Sequence, residues 1–133
     1  MSPRLLLDTH VVLRWLIDQK RLSRRQLKTL EAARTRWEPV AFSAISLLEI
    51  AMLVGDRKVA FKVALDNFFE SLQGDPLFQV LPLTYPVATE AGALGVLRDP
   101  ADRTIVATAR VHRLQLVTSD QRIIDANLVP VVV

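Results

Sequence analysis

The chain has 133 residues, half of them hydrophobic, no cysteine, and 17 basic against 14 acidic residues for a net charge of +3. This length suits one domain with an ordinary buried core, so a single domain over residues 1–133 is expected. Without cysteine there are no disulfides, zinc–thiolate sites or thiol catalysis, no apolar run approaches the roughly 20 residues of a membrane span, and no signal peptide is evident, which makes the cytoplasm the default location.

The apolar run Leu5-Leu6-Leu7 places a short strand at residues 4–7, ending at Asp8, and residues 11–17 read as the first helix. Ser23 is a fitting N-cap for a second helix, whose inner stripe is Leu27, Leu30, Ala33 and Trp37. Pro39 then introduces a strand at residues 40–42. Ser43 or Ala44 opens a strongly apolar helix that stops near Gly55. Residues 58–72 carry Val59, Val63, Leu65, Phe68, Phe69 and Leu72 at helical spacing, which predicts a helix ending at Gly74.

A third strand is expected at residues 78–81 and a helix at 86–97. Asp99 and Pro100 mark a new helix start, with the acid as N-cap and proline in the first turn. Residues 114–117 form a fourth strand, 121–126 a short helix, and 129–133 a final strand. There is no internal repeat, low-complexity tract or interdomain linker. Strands alternating with helices predict an α/β three-layer sandwich, with a central, mainly parallel sheet of four to five strands covered on both faces.

Charge is unevenly spread. Residues 14–36 hold eight cations (Arg14, Lys20, Arg21, Arg24, Arg25, Lys28, Arg34 and Arg36) against Asp18 and Glu31, a net +6 that leaves −3 for the remainder. Such a cluster suits a polyanionic partner, although a solvated helix face carries similar charge.

Four acids distant in sequence converge on this reading. Crossover helices run antiparallel to the strands of a parallel sheet, so a strand's C-terminus and the next helix's N-terminus share one edge. Asp8 and Asp120 follow strands directly, Asp102 lies in the first turn of its helix, and Glu49 lies about five residues into the helix after the second strand. Asp102 shares a helical face with Ile105, Val106 and Ala109, and Glu49 shares one with Ile45, Ser46, Met52 and Leu53. An ionised carboxylate on an apolar stripe is costly unless it is paired or bound to a cation. Clustered carboxylates also raise one another's pKa, and hard oxygen donors suit Mg²⁺ or Mn²⁺.

Each acid also has a plainer reading. Asp8 and Asp120 are placed to cap helices, Asp102 could share a capping box with Asp99, and Glu49 could pair with Arg103. His10 is placed to satisfy local hydrogen bonds, and His112 lies among surface arginines. Ser43 and Thr118 stand at strand ends, where a hydroxyl can hold a water or a neighbouring side chain. Both tryptophans read as core or interface. No glycine-rich phosphate loop or nucleophile elbow is present.

These segments together are similar to the PIN domain. The resemblance rests on Leu5-Leu6-Leu7-Asp8-Thr9-His10, Ser43-Ala44-Ile45-Ser46-Leu47-Leu48-Glu49-Ile50, Asp99-Pro100-Ala101-Asp102-Arg103 and Val117-Thr118-Ser119-Asp120, and covers nearly the whole chain in order and length. Within the family the chain looks most like the toxins of VapBC-type toxin–antitoxin pairs. The resemblance implies a Mg²⁺- or Mn²⁺-dependent endoribonuclease, usually a homodimer, inhibited by a small antitoxin that inserts a segment at or near the site. Asp8, Glu49 and Asp102 match the family's three core acids, Asp120 its less uniform fourth, and Thr118 a hydroxyl position beside it. His10 departs from the asparagine or serine found there in many members, and Asp99 is an extra acid with a capping role.

The expected chemistry is metal-assisted phosphodiester hydrolysis, with Arg14, Arg24, Arg25 and Lys28 holding the RNA backbone. A housekeeping RNA-processing nuclease and a non-catalytic PIN binding or dimerisation module are the alternatives. A receiver-like signalling domain is disfavoured, because the chain lacks both an acidic pair after the first strand and a lysine after the last.

Overall fold

Three consecutive leucines with no polar alternation require burial on both faces of a strand. In the computed structural model, which describes residues 2–133, β1 (Leu5–Leu7) is the middle strand of a five-stranded sheet and is buried throughout. Its companions are β2 (Val40–Ser43), β3 (Phe78–Leu81), β4 (Gln115–Val117) and β5 (Val131–Val132). They lie in the order β3-β2-β1-β4-β5, with every neighbouring pair parallel. Among the described residues seven α-helices connect the strands: α1 (Thr9–Ile17), α2 (Arg24–Thr35), α3 (Ala44–Gly55), α4 (Leu65–Gly74), α5 (Tyr85–Ala93), α6 (Pro100–His112) and α7 (Gln121–Ala126). Among the described residues no helix is long and apolar enough to cross a membrane.

Register divides the core into two layers. Leu7 lies beside Phe42 and Val117, and this face packs with Val11, Val12, Trp15, Leu30 and Phe78. Leu6 lies beside Ala41 and Leu116, and the opposite face packs with Val87, Ile105, Val106 and Ile123. The two-residue period of a strand sends alternate side chains to opposite layers. Each buried leucine contributes roughly 1.5–3 kcal/mol relative to exposure.

Several elements depart from the sequence expectations. Residues 58–64 are irregular, and the helix expected from residue 58 begins at Leu65. The amides of Lys58 and Val59 both bond to the Leu53 carbonyl, which folds the chain back over the end of α3. Val59 and Phe61 still pack on the core, with the Phe61 ring 4.6 Å from that of Phe68. Val63, on the same expected stripe, is 55% exposed, so apolar spacing recorded neither helical backbone nor full burial there. Similarly, α5 ends at Ala93, not residue 97, and Leu94 and Leu97 are buried from a turn that contains Gly95. Met52, expected beside Glu49 on a buried stripe, is exposed, and the buried positions of α3 are Ser46 and Ile50.

Trp37 does not extend the inner stripe of α2; it is 79% exposed. The helix closes in a Schellman turn, with Trp37 N bonded to Arg34 O and Glu38 N to Ala33 O, and Trp37 occupies the left-handed position at φ 56°. Arg57, Arg113 and Asn127 also have left-handed φ values. Glycine usually fills such sites, and a larger side chain there costs about 1–2 kcal/mol.

Candidate active site

The chain runs from β1 outward through β2 to β3, then returns to place β4 and β5 on the other side. Strand order therefore reverses between β1 and β4. In open parallel sheets such a switch point opens a crevice at the strands' carboxyl ends. Asp8 N donates to Val117 O at 3.0 Å at this edge, so Asp8 leaves β1 beside the point where Thr118 leaves β4. The crevice is a pocket of about 640 Å³ whose lining includes Asp8, Glu49, Asp102 and Asp120, all four sequence-predicted acids, together with Asp99.

Asp8 is 4% exposed. One carboxylate oxygen accepts from Thr9 N at 2.9 Å as α1 begins, and the other accepts from Thr118 Oγ1 at 2.7 Å. The same Thr118 hydroxyl accepts from Asp120 N at 3.0 Å and so joins two of the acids. Asp120 also caps α7 through Arg122 N. His10 accepts from Ser119 N at Nε2, which places a proton on Nδ1 of the neutral ring, 3.6 Å from Asp8. Burial pushes the His10 pKa down, against the pull of Asp8.

Glu49 is held by Thr9, whose hydroxyl donates to it at 2.5 Å. Since that hydroxyl has one proton, Ser46 Oγ, 2.8 Å away, must donate to Thr9 in turn. Burial raises the Glu49 pKa, Thr9 opposes the rise, and Asp8 and Asp99 add to it. Arg103 does not pair with Glu49; its Nε donates to the Leu97 carbonyl.

Asp102 is the most strongly perturbed of these groups. Its pKa is pushed up to about 7, first by burial and then by Asp99, Asp120 and Asp8, with Arg122 partly offsetting them. Among the described residues no protein donor bonds to its carboxylate. Asp99, beside it, caps α6 through Ala101 N. A dication would relieve this crowding, and carboxylate oxygens are the donors Mg²⁺ and Mn²⁺ favour, so the residues fit such an ion in type and charge. Among the described residues no three histidine, aspartate or glutamate side chains are gathered into a closed metal cage. Asp8 and Glu49 are instead turned onto the threonines.

Cations rim these acids. Arg14, Arg21, Lys58 and Arg122 line the pocket, and Arg122 Nε lies 3.5 Å from Asp120. Arg24, Arg25 and Lys28 lie outside it, exposed on α2. Their helix is tied to the site by Gln26, which is fully buried. Its oxygen accepts from Ser23 N to complete a capping box, and its amide donates to Thr118 O at 3.2 Å and Ser119 Oγ at 2.9 Å. Gln26→Leu, which leaves these partners without their amide, is expected to cost about 1–3 kcal/mol. A denaturation curve with an unchanged midpoint would show that this link contributes nothing.

The family model of the PIN domain matches residues 5–127. The chain belongs to the PIN-domain family. The PIN domain is 33% identical over 120 residues to Ribonuclease VapC22 of Mycobacterium tuberculosis, covering 89% of this chain and 88% of that protein. It is also similar to FitAcB of Neisseria gonorrhoeae (28% identity, TM-score 0.65, covering 97% of this chain and 96% of that one) and to a toxin–antitoxin complex of Klebsiella pneumoniae (28% identity, TM-score 0.66, with the same coverage). VapBC2 of Rickettsia felis shares the fold at 16% identity and a TM-score of 0.69, over 96% of both chains.

Sequence reasoning overlooked Thr9, Gln26 and Arg122 in this PIN domain's site. Thr9 adjoins Asp8 in sequence, but its reach to Glu49 depends on α3 packing beside α1. The Ser23-x-x-Gln26 spacing is a readable capping box; its second task, across 92 positions to Thr118, leaves no local signal.

Proposed function

We propose that this PIN domain is a metal-dependent endoribonuclease acting in the cytoplasm as the toxin of a type II toxin–antitoxin pair. The observation that carries the reading is the Asp102 carboxylate, pushed up to about 7 among Asp8, Asp99 and Asp120 in a pocket rimmed by arginine and lysine. Likeness to Ribonuclease VapC22 supports RNA as substrate, and likeness to toxin–antitoxin complexes supports an antitoxin as partner.

Asp8, Glu49, Asp102 and Asp120 would hold one or two divalent cations. When bound, Mg²⁺ or Mn²⁺ supplies Lewis-acid activation of a water and stabilises charge at the phosphate. The chain's residues do the rest. Thr118 orients Asp8 and the Asp120 backbone, and Ser46 and Thr9 orient Glu49. Arg14, Arg21, Lys58 and Arg122 attract the phosphodiester backbone towards a pocket its acids alone would repel. Arg24, Arg25 and Lys28 extend that attraction along α2.

The test is cleavage of a mixed RNA pool by the purified chain with Mn²⁺ or Mg²⁺, with an EDTA control. Cleavage that persists unchanged in EDTA would remove the metal from the reading, and no cleavage with either ion would remove the nuclease.

The chain is further read as a homodimer. Leu48 and Met52, one turn apart on α3, are 55% and 56% exposed, an apolar ridge suited to a second copy. Leu48→Glu with Met52→Glu is expected to halve the mass measured by light scattering. An unchanged mass would place the contact elsewhere.

A further inference from the structure

Trp37 lies in an unusual setting for a tryptophan. The chain's other tryptophan, Trp15, is 2% exposed, packs edge-on to Phe78 at 5.8 Å, and donates its Nε1 proton to Glu31. Trp37 is 79% exposed and occupies a left-handed turn position, so neither the core nor the turn calls for an indole there. Its sequence neighbours Arg34, Thr35 and Arg36 are exposed too, and partly buried Glu38 is the one acid adjoining it. A protein partner would favour a broad apolar patch at this place. Along the chain there is one exposed aromatic ring next to two exposed arginines.

The cations are ordered. On α2, Arg25 and Lys28 are three positions apart, and Arg36 follows Arg25 by eleven, close to three full turns, so the three share one exposed ridge. The N-terminal end of that ridge is fixed to the acidic edge, because Gln26 bonds to Thr118 and Ser119, and Arg21 just before α2 lines the pocket. The 12 residues of α2 span about 18 Å at 1.5 Å each, with Trp37 just past the far end.

We propose that Trp37 is a base-stacking platform for single-stranded RNA whose backbone follows the Arg25–Lys28–Arg36 ridge from the acidic pocket. This rests on the nuclease reading and adds a subsite remote from the scissile bond. Stacking on an indole accepts any base, since every base has a π face, while the ridge neutralises phosphates without reading sequence. The subsite therefore selects for unpaired, extended RNA of sufficient length rather than for a particular base at Trp37.

The experiment is a titration of the full chain with oligoribonucleotides of graded length in EDTA, followed by tryptophan fluorescence. Trp15 is buried, so quenching reports Trp37. Quenching is expected only with oligonucleotides long enough to reach from the pocket past α2. Trp37→Ala is expected to weaken their binding roughly ten-fold without altering the slope of log affinity against log salt concentration, because stacking releases no counterions. Trp37→Phe should restore most of the affinity while removing the quench. Arg25→Glu with Lys28→Glu should instead flatten the salt slope, by about 0.7 for each phosphate no longer neutralised.

Wild-type affinity in Trp37→Ala, a salt slope that falls together with affinity in that variant, or the absence of quenching with any RNA overturns the platform. So does Trp37 emission that changes with protein concentration alone, which would assign the ring to contact between copies. Since the titration needs no cleavage, its failure is read separately from failure of the nuclease, which the metal-dependent assay reports.

Discussion

Asp8→Asn is expected to lower metal-dependent RNA cleavage by about 10²–10³-fold while leaving the denaturation midpoint close to that of the parent chain. The two halves of this result follow from the same pair of oxygens. Structurally, Asp8 accepts one proton from Thr9 N and one from Thr118 Oγ1. An asparagine oxygen can keep the first bond. Its amide can donate to the Thr118 hydroxyl, whose own proton turns away. Electrostatically, nothing replaces the lost charge: the carboxamide is neutral and binds hard cations weakly, at the one acid lying on the central strand's exit. Parallel cleavage assays and urea curves check both halves. Parent-like cleavage would remove Asp8 from the chemistry, whereas a collapse of the midpoint would make its role structural.

Asp102→Asn is expected to separate stability from activity in the opposite sense, giving a metal-free protein more stable at neutral pH than the parent, yet inactive. In the folded chain this carboxyl titrates at about 7, against a reference of 3.8. Between those values the folded state holds a proton that the unfolded state has released. Stability therefore falls as pH rises through this window, and the loss is complete above about 7. Asparagine removes the titration, so its melting temperature in EDTA at pH 7.5 should exceed the parent's by on the order of 5 °C. Adding Mn²⁺ should raise the parent, by relieving the same repulsion, and leave the variant nearly unmoved. A parent that melts at the same temperature in EDTA at pH 5 and pH 7.5 would show that Asp102 is not under this stress.

Much of the sheet was legible because strand burial leaves a direct signature. Leu5-Leu6-Leu7 read as a short buried strand, which places Asp8 at its carboxyl end; its central position in the sheet came from the structure. The position of Asp102 followed equally from local rules, since Asp99 and Pro100 fix where α6 begins and Ile105, Val106 and Ala109 fix which side faces inward. The failures have two causes. Val59 is partly buried and Leu94 and Leu97 are buried, but by irregular backbone, which hydrophobic spacing does not distinguish from a helix, and Val63 on the same expected stripe is exposed. Met52 lies on the outer face of α3 with Leu48, although Leu53 next to it packs on the core, and Trp37 lies past the end of α2 in its closing turn. The hydroxyl and amide ties that orient the acids were least legible. Thr9 to Glu49 and Gln26 to Thr118 are agreements between distant segments, and no window of sequence contains both parties.

That β1 is flanked by β2 on one side and β4 on the other has a consequence for how such a protein is made. Asp8 is synthesised 110 positions before Thr118, which orients it. Until residues 115–120 have been made and have docked beside Leu5–Leu7, the acidic edge has neither its bridging hydroxyl nor Asp120. Closing so long a loop is among the slower events in folding. A chain with the proposed appetite for RNA is assembled on a particle built largely of RNA. Its order of strands leaves the acidic edge incomplete until nearly all of the domain is in place, so a growing chain is expected not to cut RNA before then.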